Sequence, residues 1–559
     1  MALDLTQDQR ELGKANFQAA ATSPELNRRG FMKTVAAGAG VVPVAAAVYF
    51  GYESVHGKPV KAALIGCGDE GGVLLGEHNP DYIEFVAACD IRPSNRKRII
   101  DGDPKVPLRK GFTKIYGRNY AEDIDKNHFY TDYRTMLDKE KDIEAVVVAL
   151  PLHLHADVSI ECMKAGKHVL CEKLMARSIT DCRRMIEAAK QHKRILSVGH
   201  QRHYSLLYAQ AYEMIQSGII GDVKHIRALW HRNFSWDWNA EPGVELAMNV
   251  QQPRFRDGWT PPILKNDFDE LASKLGNQQD HRYGYKDIYE LVRWRLYERT
   301  GGGLMAELGS HQLDASSIFL GKVHPLSVQG VGTKAFFGPG RNDREIDDHV
   351  FVTFEFPGKN HPKGPNGGSD KNDIVVVTYS SISTNGFEQY GECLMGSRGT
   401  LIVEGEQQAL LFKENEPGKK AAPPRSTTAT VGSTPAGKPA LESGPTWGGP
   451  PPAAAAAGAL GGAAAAPVAV SRGYREEMED FAYCIRQWNG GLGYAKKTEK
   501  GKENEYVQRL PRCHGEVAMA DAIIALSANN AMALRERITF TDEHFKAEST
   551  ELPKGEKRS

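Results

Sequence analysis

The sequence predicts an α/β protein in two parts: a doubly wound parallel sheet in the N-terminal part and a second domain whose sheet is mixed or antiparallel. Three observations predict this. Between Lys61 and His200, short and almost continuous apolar runs alternate with amphipathic stretches, the pattern of strands buried on both faces and joined by helices. Beyond about Gly218 the runs alternate apolar and polar in steps of two, as strands do when one sheet face is covered and the other open. And 559 residues exceed what a single hydrophobic core supports.

In the first part the strands are "KAALIG", "IEFVAACD", "IEAVVVAL", "KHVLCEK" and "RILSVGH". Between them, "HADVSIECMKAG" and "SITDCRRMIEAAKQHK" are amphipathic helices, the second with Ser178 or Thr180 as N-cap. Strand and helix in alternation require right-handed crossovers and hence a parallel sheet. In the second part "VKHIRALWHR", "DHVFVTFEF", "DIVVVTYSSIST" and "LIVEG" are strands, and "GSRG" (Gly396 to Gly399) is a hairpin turn. Two helices, "YREEMEDFAYCIRQW" and "HGEVAMADAIIALSANNAMAL", return the chain to the core. Residues 415–470, with "GPPPAAAAAGALGGAAAAP", hold too few large apolar groups to offset the entropy of ordering and are expected to be a disordered insertion.

The first fifty residues differ in kind. In "NRRGFMK" the pair Arg28 and Arg29 precedes Phe31, Met32 and Lys33, and an apolar stretch runs from Thr34 to Phe50. This resembles a twin-arginine export signal, with Ala45 and Ala47 offering a cleavage site. The stretch is short for a spanning helix and contains Pro43. The export machinery is therefore an expected partner, and the cell envelope or periplasm the expected location, with an uncleaved signal as possible anchor. The expected division is 1–56 signal, 57–200 first domain, 201–414 with 471–547 second domain, and 548–559 tail.

Seventy basic and seventy acidic side chains cancel, which gives no electrostatic reason for a nucleic-acid partner. Eight cysteines without a C-x-x-C pair indicate neither a zinc ribbon nor a disulfide scaffold, and all eight read as structural. His153 and His155, or His200 and His203, imitate metal pairs, but no third ligand is convincingly spaced, and no metal is expected.

"LIGCGDEGG" follows the first strand and opens a helix, so Gly66, Gly68 and Gly71, with Asp69 and Glu70 between them, form a G-x-G-x-x-G turn in the context that holds a dinucleotide pyrophosphate. Asp90 closes the next strand, nineteen residues after Gly71, where a carboxylate accepts the ribose hydroxyls of NAD. Arg92 and Arg96 stand nearby, where an arginine accommodates the 2′-phosphate of NADP; NAD is the reading, NADP the alternative.

That turn, "ALPLHLHAD", "HVLCEKLM", "GHQRHYS", "GGGLMAELGSHQLD" and "EVAMADAIIALSAN" together resemble the Gfo/Idh/MocA oxidoreductases, from about Val60 to Phe545 apart from the low-complexity insertion. The resemblance implies an N-terminal Rossmann domain, a C-terminal α/β domain on a large open sheet, and hydride transfer between NAD(P) and a sugar or polyol carbon. Lys173 stands at the lysine of the family's Glu-Lys-Pro signature, behind Glu172, with Leu174 replacing the proline. Glu307 and His311 match the aspartate and histidine of the D-x-G-x-H segment. Pro151 and His153 align with a segment lining the cofactor cleft, and Arg202 and His203 with one bordering the active site.

Chemically, oxidation of an alcohol needs a base for the hydroxyl proton, which suits His311, and a cation for developing alkoxide charge, which suits Lys173. Glu307 lies four residues before His311, on the same face of a helix. Gly301 to Gly303 are expected to bring backbone close to the cofactor, "RWRLYER" (Arg293 to Arg299) to form a packed helix, and Trp230, Trp236 and Trp238 either to wall a sugar site or to fill the core. The expected activity is an exported NAD-dependent dehydrogenase of a sugar, sugar derivative or cyclitol. Two alternatives stand beside it: the same chemistry used transiently for glycoside cleavage or epimerisation, and a non-catalytic binder on an oxidoreductase scaffold. Self-association through the second sheet is a further expectation.

Overall fold

The computed structural model describes residues 5–21, 46–47, 49–52, 57–255, 258–275, 284–338, 344–414, 471–499 and 505–556, and the backbone of 427–433 and 439–445. The first sheet consists of β1 (Val60–Ile65), β2 (Ile83–Cys89), β3 (Phe129–Tyr130), β4 (Ala145–Val148), β5 (His168–Glu172) and β6 (Leu196–Gly199), in the order 3-2-1-4-5-6 with every neighbour parallel. This is the doubly wound order with its switch point between β1 and β4. Every residue of β4, β5 and β6 is buried, as the continuous apolar runs require. Among the helices flanking this sheet are α2 (Asp69–Glu77), α3 (Pro93–Asp101), α4 (His155–Lys164) and α5 (Ile179–His192). Ser178 is the N-cap of α5, its Oγ accepting the Asp181 N–H at 3.1 Å. Two-residue β3 was too short to carry a sequence pattern.

The second sheet is mixed and mainly antiparallel. Its strands are β7 (Val223–His231), β8 (Ser327–Thr333), β9 (His349–Pro357), β10 (Ile374–Ile382), β11 (Tyr390–Gly396), β12 (Gly399–Glu404) and β13 (Gln408–Lys413), with Ile538–Thr539 at the far edge beside β8. Only β7 and β10 pair in parallel. The β11–β12 hairpin turns at the predicted Gly396–Gly399. On β9, Val350, Val352, Phe354 and Phe356 face the core and are buried, whereas Phe351 faces outward and is 50% exposed.

The inner face is covered by α6 (Leu206–Gln216), α8 (Ser310–Phe319) and the C-terminal α10 (Gly515–Leu534). By length and composition α10 could cross a membrane, but here it is a core helix packed on α5, α8 and β8. A helix over Tyr474–Arg486, α9, joins the two domains: Arg486 pairs with Glu144 at 2.5 Å. Within the Pro-, Gly- and Ala-rich stretch, Thr427–Ser433 and Pro439–Pro445 pair as an antiparallel ribbon where no regular structure was expected. Thr427, Thr428, Thr430 and Val431 are β-branched residues that favour strand. The other residues of 415–470 lie outside the described ones.

Part of the segment 1–56 expected as a signal is seated on the folded body. Gln7–Ala21 forms a helix, α1, docked on β13. Arg10 pairs with Glu404 at 2.7 Å, Asn16 Nδ2 donates to the Leu411 carbonyl at 3.1 Å, and Phe17 is buried. The helix thereby satisfies part of an edge strand that would otherwise be open. Tyr52 Oη donates to Glu479 at 2.9 Å, so the end of the segment is also seated on the folded body. Arg28 and Arg29 lie outside the described residues. The expected tail is seated too, with Glu556 accepting the Ile179 N–H at 2.8 Å.

Candidate active site

A cleft of about 790 Å³ opens at the carboxyl ends of the parallel strands. One side is built by the glycine turn, and its three glycines have three distinct reasons to be glycine. Gly66 has φ +95° and a Cβ there would lie 2.2 Å from the Ala149 oxygen; a Cβ on Gly71 would lie 2.0 Å from the Gly66 oxygen. Both permit strand and helix to close tightly. Gly68, by contrast, faces open space, its nearest neighbour 3.9 Å away in Asn95, which leaves room for a pyrophosphate over the N-terminus of α2. The cradle therefore fits a dinucleotide. Asp69 and Glu70 line the cleft; Asp69 faces Arg98 at 2.8 Å and Arg109 at 3.2 Å.

Asp90 stands at the end of β2, as predicted. Its Oδ2 accepts the Cys67 N–H at 2.7 Å and Asn95 Nδ2 at 3.0 Å, and its Oδ1 accepts the Arg92 N–H at 2.8 Å, which leaves Oδ1 capacity for one more donor. Burial raises its carboxyl pKa, opposed by those N–H groups.

At the other end of the cleft Lys173 follows directly on β5 and donates from Nζ to the Glu307 carbonyl at 3.0 Å. The Lys173–Leu174 peptide bond is cis. Glu307 sits in a single π-turn, Met305–Gly309, that leads into α8, and its carboxylate accepts Arg295 Nε at 2.8 Å. Burial alone would raise the Glu307 carboxyl, but Lys173 and Arg295 overcome it and hold it below the ordinary value. Glu172 is buried and lines the cleft; burial and the neighbouring Glu70 push its carboxyl well up.

His311, one turn further along, is 8% exposed, with Nδ1 buried and unpartnered and its ring 5.5 Å from that of Trp230. Burial, with the Lys173 cation next in weight, lowers it well below the usual imidazole range, so the ring is neutral at pH 7. Lys173 and Glu307 line the cleft, and His311 follows Glu307 one turn further along. Trp230 stacks on Tyr390 at 4.5 Å; Trp236 is exposed, and neither it nor Trp238 is a core residue.

Several predicted site residues are elsewhere. Arg202 is 2% exposed and tied to Glu406 at 2.7 Å and Glu392 at 3.1 Å, so it is a buried ion-pair partner and no substrate ligand. Its charge is spent before any ligand arrives. His203 is buried on Asp314 at 2.9 Å. Pro151 lines the cleft as expected, and His153 packs edge-on against the cleft-lining Tyr285 at 5.1 Å. His155 is a core histidine between the Leu174 and Leu150 carbonyls. A Cβ on Gly302 would strike Ala306 at 2.4 Å, so that run serves close protein packing instead of cofactor approach.

Two buried groups, His203–Cys513–Asp521 and His200–Asp314–Asp521, have metal-ligand composition. The Lys322 ammonium already supplies their cation, 2.7 Å from Asp521 and 3.2 Å from Asp314. All eight cysteines are buried free thiols.

Sequence reading missed Arg295 and Trp294. They line the cleft from a three-residue 3₁₀ turn at Trp294–Leu296, where a packed helix was expected, with the Arg295 guanidinium 4.3 Å over the Trp294 ring. The signal was Glu307 itself, whose extra methylene reaches a cation. Trp259, Pro261, Pro262 and Tyr285, from an excursion of the second domain, also line the cleft.

Fold and cleft thus define a two-domain dinucleotide-binding protein of the Rossmann type, its second domain closing the cleft. Residues 60–200 match the model "Oxidoreductase family, NAD-binding Rossmann fold", and residues 278–401 match the "GFO/IDH/MocA C-terminal domain". It is 31% identical over 165 residues to inositol 2-dehydrogenase of Salmonella paratyphi B, 29% of this chain and 43% of that one, so the match spans less than half the relative's length. It is 24% identical over 311 residues to 2,7-anhydro-N-acetylneuraminate hydratase of Mediterraneibacter gnavus, 54% of this chain and 64% of the relative. The crystal structure of an inositol dehydrogenase homolog from Azotobacter vinelandii, complexed with NADH and myo-inositol, shares the fold, with TM-score 0.52 and 16% identity over 86% of this chain and 98% of that one.

Proposed function

We propose that the chain is an exported oxidoreductase that moves a hydride between tightly held NAD and a hydroxyl-bearing carbon of a sugar, sugar derivative or cyclitol. One observation carries the reading: a glycine turn with room for a pyrophosphate and the pair Lys173 and Glu307 face the same cleft. NAD, when bound, supplies the hydride acceptor. The chain's own residues supply the rest. Lys173 stabilises negative charge on the substrate oxygen, neutral His311 receives the hydroxyl proton, and Glu307, kept ionised by Lys173 and Arg295, orients the substrate hydroxyls. The relative named inositol 2-dehydrogenase supports a CH–OH substrate.

The relative named as a hydratase favours a second reading, in which the same residues act transiently and the net reaction is redox-neutral, as in epimerisation or glycoside cleavage. Export rests on the paired arginines Arg28 and Arg29 ahead of an apolar stretch. Self-association is supported by Val331, Phe351 and Val376 exposed on the outer face of the second sheet.

The test is to release nucleotide from the purified protein, identify it by mass, and follow nicotinamide absorbance as sugars and cyclitols are added. NAD that one of them reduces is expected, and Lys173→Met should slow that reduction about 10²–10³-fold with nucleotide still bound. Isomerised or cleaved product with no net absorbance change selects the second reading. A folded protein that binds neither NAD nor NADP overturns both and leaves a binding protein.

A further inference from the structure

We propose that Asp267 decides the choice of dinucleotide: its carboxylate occupies the donors that would hold a 2′-phosphate and so reserves the site for NAD. This rests on the NAD reading above and assigns its selectivity to a residue outside the Rossmann domain.

In this fold an arginine close after the second strand accommodates the 2′-phosphate of NADP. Here that arginine is Arg92, two residues after Asp90 and just ahead of α3. Ser94 follows, in the first turn of α3, with a hydroxyl and a helix N-terminal N–H. A guanidinium fork, a hydroxyl and an N–H are the donors a phosphate uses. In this chain two N–H groups of that fork, the hydroxyl and the helix N–H all go to one carboxylate. Asp267 belongs to a helix over Lys265–Leu275 in the second domain, α7, and is fully buried. Its Oδ2 accepts Arg92 Nε at 3.0 Å, Arg92 Nη2 at 2.8 Å and Ser94 Oγ at 2.7 Å, while its Oδ1 accepts the Ser94 N–H at 2.9 Å.

Three neighbouring arginines are committed as well, whereas Lys97 is exposed. Arg96 pairs with Asp125 at 2.7 Å, and Arg98 and Arg109 answer Asp69 at the glycine turn. Glu270, one turn after Asp267, lines the small cavity that Arg92, Arg96 and Lys97 share beside Asp90. A 2′-phosphate, at about −1.5 to −2 charges, would enter facing carboxylates whose counter-charges are used. A 2′-hydroxyl needs only the remaining capacity of Asp90 Oδ1.

The carboxylate is held in place by packing. Around α7, Ala247, Ile263, Leu271, Leu275 and Tyr285 form a small separate core, against which Ile91 and Leu154 of the Rossmann domain pack. Ile91 lies between Asp90 and Arg92, so the contact that seats α7 also fixes the backbone reading the ribose. Arg92 itself lines the cleft, so loss of Asp267 would turn its guanidinium toward the ligand instead of stranding it in the core.

The test uses the full chain stripped of nucleotide, with NAD, NADP, ADP and 2′,5′-ADP titrated by calorimetry. Wild type should prefer NAD and bind ADP more tightly than 2′,5′-ADP. Asp267→Ala should bind NADP at least about tenfold more tightly than wild type does and reverse the ADP preference. Asp267→Asn keeps the size and can retain hydrogen bonds, and should shift the ratio the same way should the alanine variant fail to fold. Adding Arg92→Leu to Asp267→Ala should remove the gain. Unchanged NADP and 2′,5′-ADP affinities in a folded Asp267→Asn that still binds NAD overturn the proposal and leave the NAD reading standing. A folded wild type that binds no nucleotide overturns both.

Discussion

The two sheets bury their strands in opposite manners, and the difference divides the labour of the molecule. Central strands of the parallel sheet are covered on both faces, and the cleft opens only where those strands end. The second sheet leaves a face open over β8, β9 and β10, where Phe354 is buried and Phe351, three residues earlier on the same strand, is half exposed; at its other end Leu229, Cys393, Ile402 and Leu410 are buried on that face with Leu5. The first arrangement gives a rigid cradle with no tolerance for added atoms. The second gives a platform that lends a few side chains to the cleft and keeps a face for other contacts.

Substitutions should separate the two. Gly71→Ala puts a Cβ 2.0 Å from the Gly66 oxygen and is expected to have the largest effect, loss of nucleotide binding or of soluble protein. A variant that retains bound nucleotide would break the comparison. Phe354→Ala, on the covered face, should cost about 3–5 kcal/mol in denaturant unfolding.

Acid should act next, on both domains. Burial lowers His78, His153, His168, His324 and His514 to about 4 and His200 to about 3. Their folded values lie below the unfolded value of about 6.5, so below that pH the unfolded chain binds more protons. Stability is therefore full above about pH 6.5 and falls as pH drops towards 4. Melting temperatures at pH 7.5 and 5.0 check this, and equal values would refute the buried, neutral imidazoles. Phe351→Ala, on the open face, is expected to have the smallest effect on monomer unfolding, within about 0.5 kcal/mol, and to shift association in sedimentation if that face is an interface.

What the sequence made legible follows the same division. Five parallel strands were readable because a strand buried on both faces is apolar at every position. In the second sheet β8, "SVQGVGT", and β11, "YGECLMG", were not, because glycines interrupt their alternation. Helix α1 was hidden inside what reads as a leader, since only its contact with β13 reveals it. At the site, the placement of Asp90 was legible from its spacing after the glycine turn, whereas Lys173, Glu307 and His311 came from the resemblance of their motifs. Arg202 was misread because Glu392 and Glu406, which claim its charge, lie about two hundred residues away.

By itself, then, the sequence determined the parallel sheet and the glycine turn, since each depends on residues adjacent in the chain or on a period of two or 3.6. Only the tertiary structure decided which charges are free. Arg295 on Glu307, Asp267 on Arg92 and Lys322 between Asp314 and Asp521 are pairings across the fold. A buried charge must find its partner wherever the fold brings one, and no local pattern records that distance.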